Sequence, residues 1–384
     1  MDPEKVAAHR QALQQAERDK WLRADAPTAT TSNPKWFHRA GAEVRPTQER
    51  RALHDKILSD WKKEVPNPGK GKIAIMTAGP PGAGKTGARI AVQERLSSEG
   101  WRVIDPDEFK VKLLKQSLKD GTFSELLPEN VRESGERFYP LELAPLVHDE
   151  STRLANEAQK SAIAAGENVV IDGTLAGRSK PDQIAQSLTE AGYTIHVVDV
   201  ETSKDVSRER VMGRWQGPYE KAEEKAERGE DVSKELGGRW VNGEVVDFMF
   251  KGDDKRSICA DNAEALIHKH PAVQSVDRYF TPHAQADPER TDSWQRDESG
   301  KVTHRTHETS WSREESKDQS RDVRSLATQT KLEQLHSRVG GRVTEPRAPA
   351  QAGKGQPSAQ PAQGKVQQQR DDRRRQDKVR GQER

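Results

Sequence analysis

Residues Gly79-Pro80-Pro81-Gly82-Ala83-Gly84-Lys85-Thr86 satisfy the pattern G-x-x-x-x-G-K-[ST] at every fixed position, and the apolar run from Lys72 to Ala78 leads into them. No other feature of the chain constrains its fold so tightly. A loop that wraps an anion in backbone N–H groups needs glycine, because side chains obstruct close approach and several of its turns require positive φ. Such a loop lies between a buried strand and a helix whose N-terminal end faces the phosphates. Lys85 is then placed to neutralise the β- and γ-phosphates of a nucleotide, and the Thr86 hydroxyl to ligate Mg²⁺. The expected cofactor is ATP, or GTP, with Mg²⁺. The bland alternative, an accidental Gly/Pro-rich turn, is opposed by the strand before the loop and the helical stretch Gly87 to Leu96 after it.

The chain continues in the alternation that this motif demands. Strands are predicted at 72–78, 101–105, 168–172 and 193–200, with helices from Lys85, across 109–165 with interruptions, at 180–191 and at 203–214. Short apolar strands separated by helices imply an α/β fold, a mostly parallel sheet covered on both faces to make three layers. Residues 219–235, rich in Lys, Glu and Asp, read as a solvated helical lid. Ala265-Leu266-Ile267-His268 is the candidate for a last strand.

Only 32% of the residues are hydrophobic and the mean hydropathy is −1.00, too polar for 384 residues of continuous core. The chain divides accordingly into a helical or flexible leader at 1–46, a catalytic domain at 47–284 and a mostly disordered, basic-ended tail at 285–384. Residues 1–24 read as a helix, broken by the Pro/Ser/Thr-rich stretch 26–34. A second helix at 47–64 carries Leu53, Ile57, Leu58 and Trp61 on one stripe. Residues 342–384 hold 11 Lys/Arg against 5 Asp/Glu, so the net charge of +2 for the whole chain conceals a basic end. No aromatic residue follows Trp311, and a helix is expected only at 322–339. Without aromatics for base stacking, that tail gives little support for a nucleic-acid partner. Cys259 is the single cysteine, so no intrachain disulfide exists. No 18-residue apolar run and no signal peptide are present, and the cytoplasm is the parsimonious address.

Two carboxylate sites follow predicted strands. Asp105 and Asp107 come directly after the second strand, at the carboxyl edge where ligands bind in open α/β sheets. A base for an acceptor hydroxyl belongs there, although Asp107 is also placed to cap the following helix. Asp172 ends the apolar run Val169-Val170-Ile171 and is positioned to hold Mg²⁺ directly or through water, or to open a simple Asp-Gly turn.

The loop at 79–86, the block Ile104-Asp105-Pro106-Asp107-Glu108-Phe109-Lys110 and the stretch Gly166 to Thr174 together resemble the zeta toxin family of P-loop kinases, from epsilon/zeta-type toxin-antitoxin systems. The resemblance covers about residues 50–280. It implies a P-loop kinase fold and phosphorylation of UDP-N-acetylglucosamine on the sugar 3′-hydroxyl, which blocks cell-wall synthesis. It implies Asp107 as catalytic base, Lys85 as the phosphate lysine, and Arg214 and Arg239 as lid arginines around the ATP phosphates, with Arg210 competing for the first of these roles. On the acceptor side the chain departs from the family pattern. Asn156 stands where a glutamate contacts the nucleotide sugar, with Glu157 one place off; Ala176 stands where an arginine is usual, with Thr174 before it and Arg178 after it. His148, Glu150 and Ser151 are further pocket candidates, read more plainly as a solvated helix start. The resemblance also implies an antitoxin, either a separate protein or an inhibitory helix within residues 1–46.

Three functions compete on these grounds. The first is a kinase of UDP-N-acetylglucosamine. The second is a kinase of the same fold acting on an antibiotic, a dinucleotide or a polynucleotide end. The third is a non-enzymatic, nucleotide-dependent interaction module whose long flanks do the work.

Overall fold

The computed structural model describes residues 2–41, 43–177 and 179–311. The chain opens with α1 (Pro3–Arg18), a hairpin of β1 (Phe37–Ala40) and β2 (Glu43–Pro46), and α2 (Gln48–Glu64). The alternating region comprises β3 (Ile73–Ala78), α3 (Lys85–Leu96), β4 (Arg102–Ile104), α4 (Pro106–Lys119), the short α5 (Glu129–Glu133), a 3-10 segment Pro140–Val147, and α6 (His148–Ala164). It continues through β5 (Val169–Ile171), α7 (Ser179–Glu190), β6 (Thr194–Thr202), α8 (Lys204–Glu227), α9 (Gly243–Met249), α10 (Ile258–Lys269) and β7 (Val273–Thr281). Two further strands, β8 (Glu289–Arg296) and β9 (Val302–Thr306), end the described part.

The main sheet has seven strands in the order β4-β5-β3-β6-β7-β8-β9. β3 lies between β5 and β6 and is parallel to both, with Ala74 opposite Val169 on one side and Ile195 on the other. β7 is parallel to β6, whereas β8 and β9 join antiparallel. From β3 the chain runs first to the β4/β5 side and only later crosses to β6. The loop after β3 therefore sits at the point where the winding reverses, the crevice in which such sheets bind ligands.

Burial explains the layers. Ala74, Ile75, Met76 and Ala78 are fully inaccessible, as expected of a central parallel strand covered on both faces. Ile75 packs with Val92, Val198 and Val200 under α3, while Ala74 and Met76 join Leu154, Ala158 and Ile195 in the larger cluster on the opposite face. That larger cluster also takes in Val6, Leu13, Ala16, Leu22 and Ala29, so the described part of the leader is packed structure rather than a loose arm. Ile57 and Trp61 of α2 are buried, with Leu53 and Leu58 packed beside them, as the stripe predicts.

Three expectations are corrected. Residues 265–268 belong to α10, because Cys259, Ala263, Leu266 and Ile267 recur at helical spacing and are all buried; a four-residue apolar run cannot by itself separate strand from helix. The last parallel strand comes later, at β7, whose buried Ser275, Asp277 and Arg278 hide it from a hydropathy reading. Ordered strands also continue past residue 285: β8 and β9 complete the sheet, burying Trp294 under the Arg278 guanidinium at 4.8 Å. The helix at 203–214 runs on to Glu227 through Pro218, with Tyr219, Ala222 and Glu223 buried, so this part of the expected lid is not solvated all round. The helix expected at 322–339 lies outside the described residues.

Candidate active site

The loop after β3 has the backbone that its glycines permit. Gly79 has φ +119°, and a Cβ there would collide with the Val200 carbonyl of β6. Gly84, at φ +97°, caps the N-terminal end of α3 in the left-handed region, which leaves the first N–H groups of that helix open to an anion. Pro80, Pro81, Gly82 and Ala83 complete the turn, and Thr86 lies exposed in the first turn of α3. The Lys85 ammonium folds back to donate to the carbonyls of Gly79 at 2.9 Å and Pro80 at 3.0 Å. Burial pulls the Lys85 amine below its ordinary value, opposed by the Asp172 charge.

Asp172 directly follows β5, and Thr77 fixes its carboxylate. The Thr77 hydroxyl accepts from the Gly173 N–H at 2.9 Å and lies 2.8 Å from Asp172 Oδ1, to which it donates. The Gly79 N–H donates to the Thr174 carbonyl at 3.1 Å, so Thr174 anchors the loop through its backbone. Leu175 holds φ +54°, uncommon without glycine, and its carbonyl accepts from Asn262 Nδ2 at 2.6 Å. Thr77 and Asn262 escape a motif reading because each acts through hydrogen bonds to distant backbone.

Asp105, not Asp107, caps α4: its side chain accepts from the Asp107 N–H at 2.8 Å. Asp107 is thereby free of the capping role. It sits one residue inside the helix, ion-paired with Lys110 Nζ at 3.0 Å and with Arg239. Burial works against the Asp107 charge, but Lys110 and Arg239 outweigh it and hold the carboxyl below its ordinary value. Asp105 goes the other way, pushed up to about 7 by burial and by the charges of Asp107 and Asp172. Asp105, Asp107, Lys110, Val111, Leu141 and Arg239 line a cleft of about 170 Å³. Two adjacent carboxylates with opposite shifts are the pattern by which active sites divide acid and base roles.

Arg210 and Arg214 differ in what they have left to offer. The Arg210 guanidinium is spent on three carbonyls: Gly82 at 3.0 Å, Ala284 at 2.8 Å and Ala286 at 2.5 Å, a brace for the loop. Arg214, one turn on, is exposed and has no hydrogen-bond or ion-pair partner among the described residues. Partial desolvation and the nearby charges of Arg239 and Arg210 lower its pKa, and Asp107 opposes them. It is an unneutralised cation beside Arg239, which is what an incoming polyphosphate requires.

The acceptor-side candidates do not gather in this cleft. Asn156 and Glu157 are exposed on α6, about 12 Å along the helix from its first residue. Arg178 lies outside the described residues. His148, at the start of α6 near Lys110 and Asp107, keeps part of its surface in solvent, while partial desolvation, then the Lys110 charge, lowers its pKa. Ser151 is buried and donates to the His148 carbonyl at 2.8 Å. Glu150 is neither solvated nor a pocket residue: fully buried, it receives Arg50 in a bidentate pair at 2.6 and 2.7 Å and His54 Nε2 at 2.6 Å, locking α2 to α6.

Thr86 and Asp172 offer hard oxygen donors, Asp172 already oriented by Thr77. This suits Mg²⁺, which keeps waters and phosphate oxygens in most of its coordination positions and needs few protein ligands. No group of three or more His, Cys, Asp or Glu able to hold a metal is present among the described residues.

The zeta toxin family model matches residues 55–260, more than half of the chain. The chain belongs to the zeta toxin family. Among curated proteins none matches. Solved structures similar to this zeta toxin family member include one from the PezAT chromosomal toxin-antitoxin system of Streptococcus pneumoniae, 18% identical with a TM-score of 0.41, covering 61% of this chain and 78% of that one. AvrRxo1-ORF1:ORF2 with ATP is likewise 18% identical, with a TM-score of 0.44 and coverage of 67% and 70%. The tunicamycin resistance protein of Deinococcus radiodurans is 17% identical, with a TM-score of 0.24 and coverage of 51% and 95%. No helix among the described residues is long and apolar enough to cross a membrane.

Proposed function

We propose that this zeta toxin family member transfers the γ-phosphoryl group of ATP to the sugar 3′-hydroxyl of UDP-N-acetylglucosamine, with Asp107 as base. The observation that carries the reading is Asp107 itself, free of the capping role, lining a cleft with Arg239 and near both Lys85 and Arg214. Lys85 exchanges the loop carbonyls for phosphate oxygens, and Arg214 and Arg239 neutralise the charge that develops on the transferring group. As Arg239 turns to the phosphates, Asp107 loses a cation that holds its pKa down and becomes a better proton acceptor. The acceptor oxygen attacks the γ-phosphorus, the bond to the ADP oxygen breaks, and the hydroxyl proton passes to Asp107. Thr86 and Asp172 would hold Mg²⁺, which when bound shields the phosphate charges.

Next to Gly237 the α4–α8 side opens into a groove of about 570 Å³ lined by Lys115, Lys221, Lys225, Arg228 and Lys234, with Glu224 and Glu235 among them. Lysines and arginine outnumber carboxylates in this groove even with Lys225 paired to Glu235, which supports an acceptor that carries phosphate, as a sugar nucleotide does. The exposed positions of Asn156 and Glu157 favour a second reading, the same transfer to a different phosphorylated or hydroxyl-bearing acceptor. A screen with purified protein, ATP and Mg²⁺ separates them. Phosphorylated UDP-N-acetylglucosamine supports the first reading, and phosphorylation of a dinucleotide, RNA end or antibiotic instead supports the second. We further propose a separate antitoxin protein as partner and the cytoplasm as location; co-purification with the product of a neighbouring small gene tests the partner.

A further inference from the structure

Each proposed lid arginine is followed by a tryptophan: Arg214-Trp215 on α8 and Arg239-Trp240 before α9. Both indoles are buried, and they meet edge to face with centroids 5.3 Å apart. A buried indole N–H needs an acceptor. Both acceptors here are carboxylates on, or bound to, the N-terminal helix α1. Trp240 Nε1 donates to Glu17 Oε1 of α1 at 2.7 Å. Trp215 Nε1 donates to Glu142 Oε1 at 2.8 Å. Glu142, fully inaccessible, also accepts the Tyr139 N–H at 2.8 Å and is bonded by His9 Nε2 of α1 at 3.0 Å.

Further contacts continue this grip along α8. His9 stacks on Tyr219, one turn beyond Trp215, with centroids 4.6 Å apart and planes 5° from parallel. Lys5 reaches Glu223 at 2.8 Å and Glu227 at 3.0 Å. Between the arginine segments, Gly238 lies so close to the Trp215 carbonyl that no Cβ fits, which seats residues 237–240 directly on α8. Among the described residues no hydrogen bond or ion pair joins α1 to residues 79–86; its polar contacts run instead to α8, Glu142 and Trp240. α1 also lies outside the 55–260 span matched by the family model.

We propose that α1 is a positioning element of the phosphate site: Glu17 fixes Trp240 and through it Arg239, while His9 and Glu142 fix Trp215 and through it Arg214. The inference rests on the reading of both arginines as phosphate ligands. Holding the residue next to each arginine removes freedom that would otherwise be lost when the guanidinium captures a phosphate, which is how preorganisation raises affinity.

The test is ATP binding by calorimetry on the full chain with Mg²⁺, which needs no acceptor. Glu17→Leu, Arg239→Ala and the double variant form a cycle, with Glu17→Gln retaining an acceptor for Trp240. The expected result is about tenfold weaker ATP binding for Glu17→Leu, affinity within about twofold of wild type for Glu17→Gln, and no further loss when Glu17→Leu is added to Arg239→Ala. Equal losses from Glu17→Leu in both backgrounds would show a general structural effect and overturn the inference while leaving the kinase reading intact. Tighter binding by Glu17→Leu would mean that α1 holds the site shut, which also overturns it. If Arg239→Ala binds ATP like wild type, the phosphate role of Arg239 fails, and the inference with it. Should Glu17→Leu not fold, Trp240→Phe removes the same N–H while keeping a ring, and the cycle is read with that variant.

Discussion

Thr77 illustrates how much of the site depends on single hydrogen bonds. Its hydroxyl bridges the Gly173 N–H and the Asp172 carboxylate, so one side chain sets both the turn after β5 and the direction of the expected Mg²⁺ ligand. Thr77→Val keeps the shape and removes the bridge, leaving a partly buried N–H without its partner. The expected cost is about 1–3 kcal/mol of stability by thermal or urea unfolding, together with a weaker dependence of ATP binding on Mg²⁺. Unchanged Mg²⁺ dependence would show that Asp172 needs no such orientation. At the same scale Asp107 and Asp105 divide their roles by environment: the first is ion-paired and charged, while the second is a cap pushed up to about 7 by burial and the neighbouring carboxylates.

Among the elements, β8 and β9 matter most for where the domain ends. Truncation after residue 284 strips both strands, exposes β7 as a sheet edge and removes the Ala286 carbonyl that holds Arg210 against the nucleotide loop. Such a chain is expected to aggregate and to lose ATP binding, whereas truncation after 311 keeps both properties; soluble yield and ATP affinity of the two chains decide it. The sequence made the nucleotide half legible because a phosphate loop is a local motif, a few residues between a buried strand and a helix. β3, β5 and β6 follow from short apolar runs in the same way, and α3 from its place directly after the loop. β7 and β8 are hidden because their buried positions include polar side chains paired with other elements: Asp277 with Arg95 of α3, Arg278 with Asp199 of β6, and Ser293 with His307. Glu150 misled for a related reason: its partners Arg50 and His54 lie about 100 residues earlier, so only the fold reveals it as a buried ion cluster.

At the scale of the whole molecule, two buried carboxyls, Glu150 and Glu201, and the half-buried Asp105 set opposing responses to pH. Burial opposes the Glu150 charge, but hydrogen bonds from His54 and Arg50 prevail and lower it to about 2, so its stabilisation is present above about pH 4.5 and lost as pH falls from there towards 2. Burial, with neighbouring carboxylates, raises Asp105 to about 7 and Glu201 to about 8, so their favourable protonated forms are lost as pH rises from about 4 towards 8. Stability to urea is therefore expected to fall on both sides of about pH 4–5, and Glu201→Gln to flatten the alkaline limb. An alkaline limb unchanged in Glu201→Gln would contradict this assignment.

The central claim is that Asp107 takes the proton of a hydroxyl phosphorylated by ATP bound at Gly79 to Thr86. It is tested most directly by one comparison: the rate of phosphoryl transfer from ATP to UDP-N-acetylglucosamine, followed by ³¹P NMR of the product, for wild type and Asp107→Asn at matched ATP saturation. The account predicts a 3′-phosphorylated sugar nucleotide with wild type and a rate lower by about 10²–10⁴-fold with Asp107→Asn, with ATP still bound. Transfer at the wild-type rate by Asp107→Asn would contradict it.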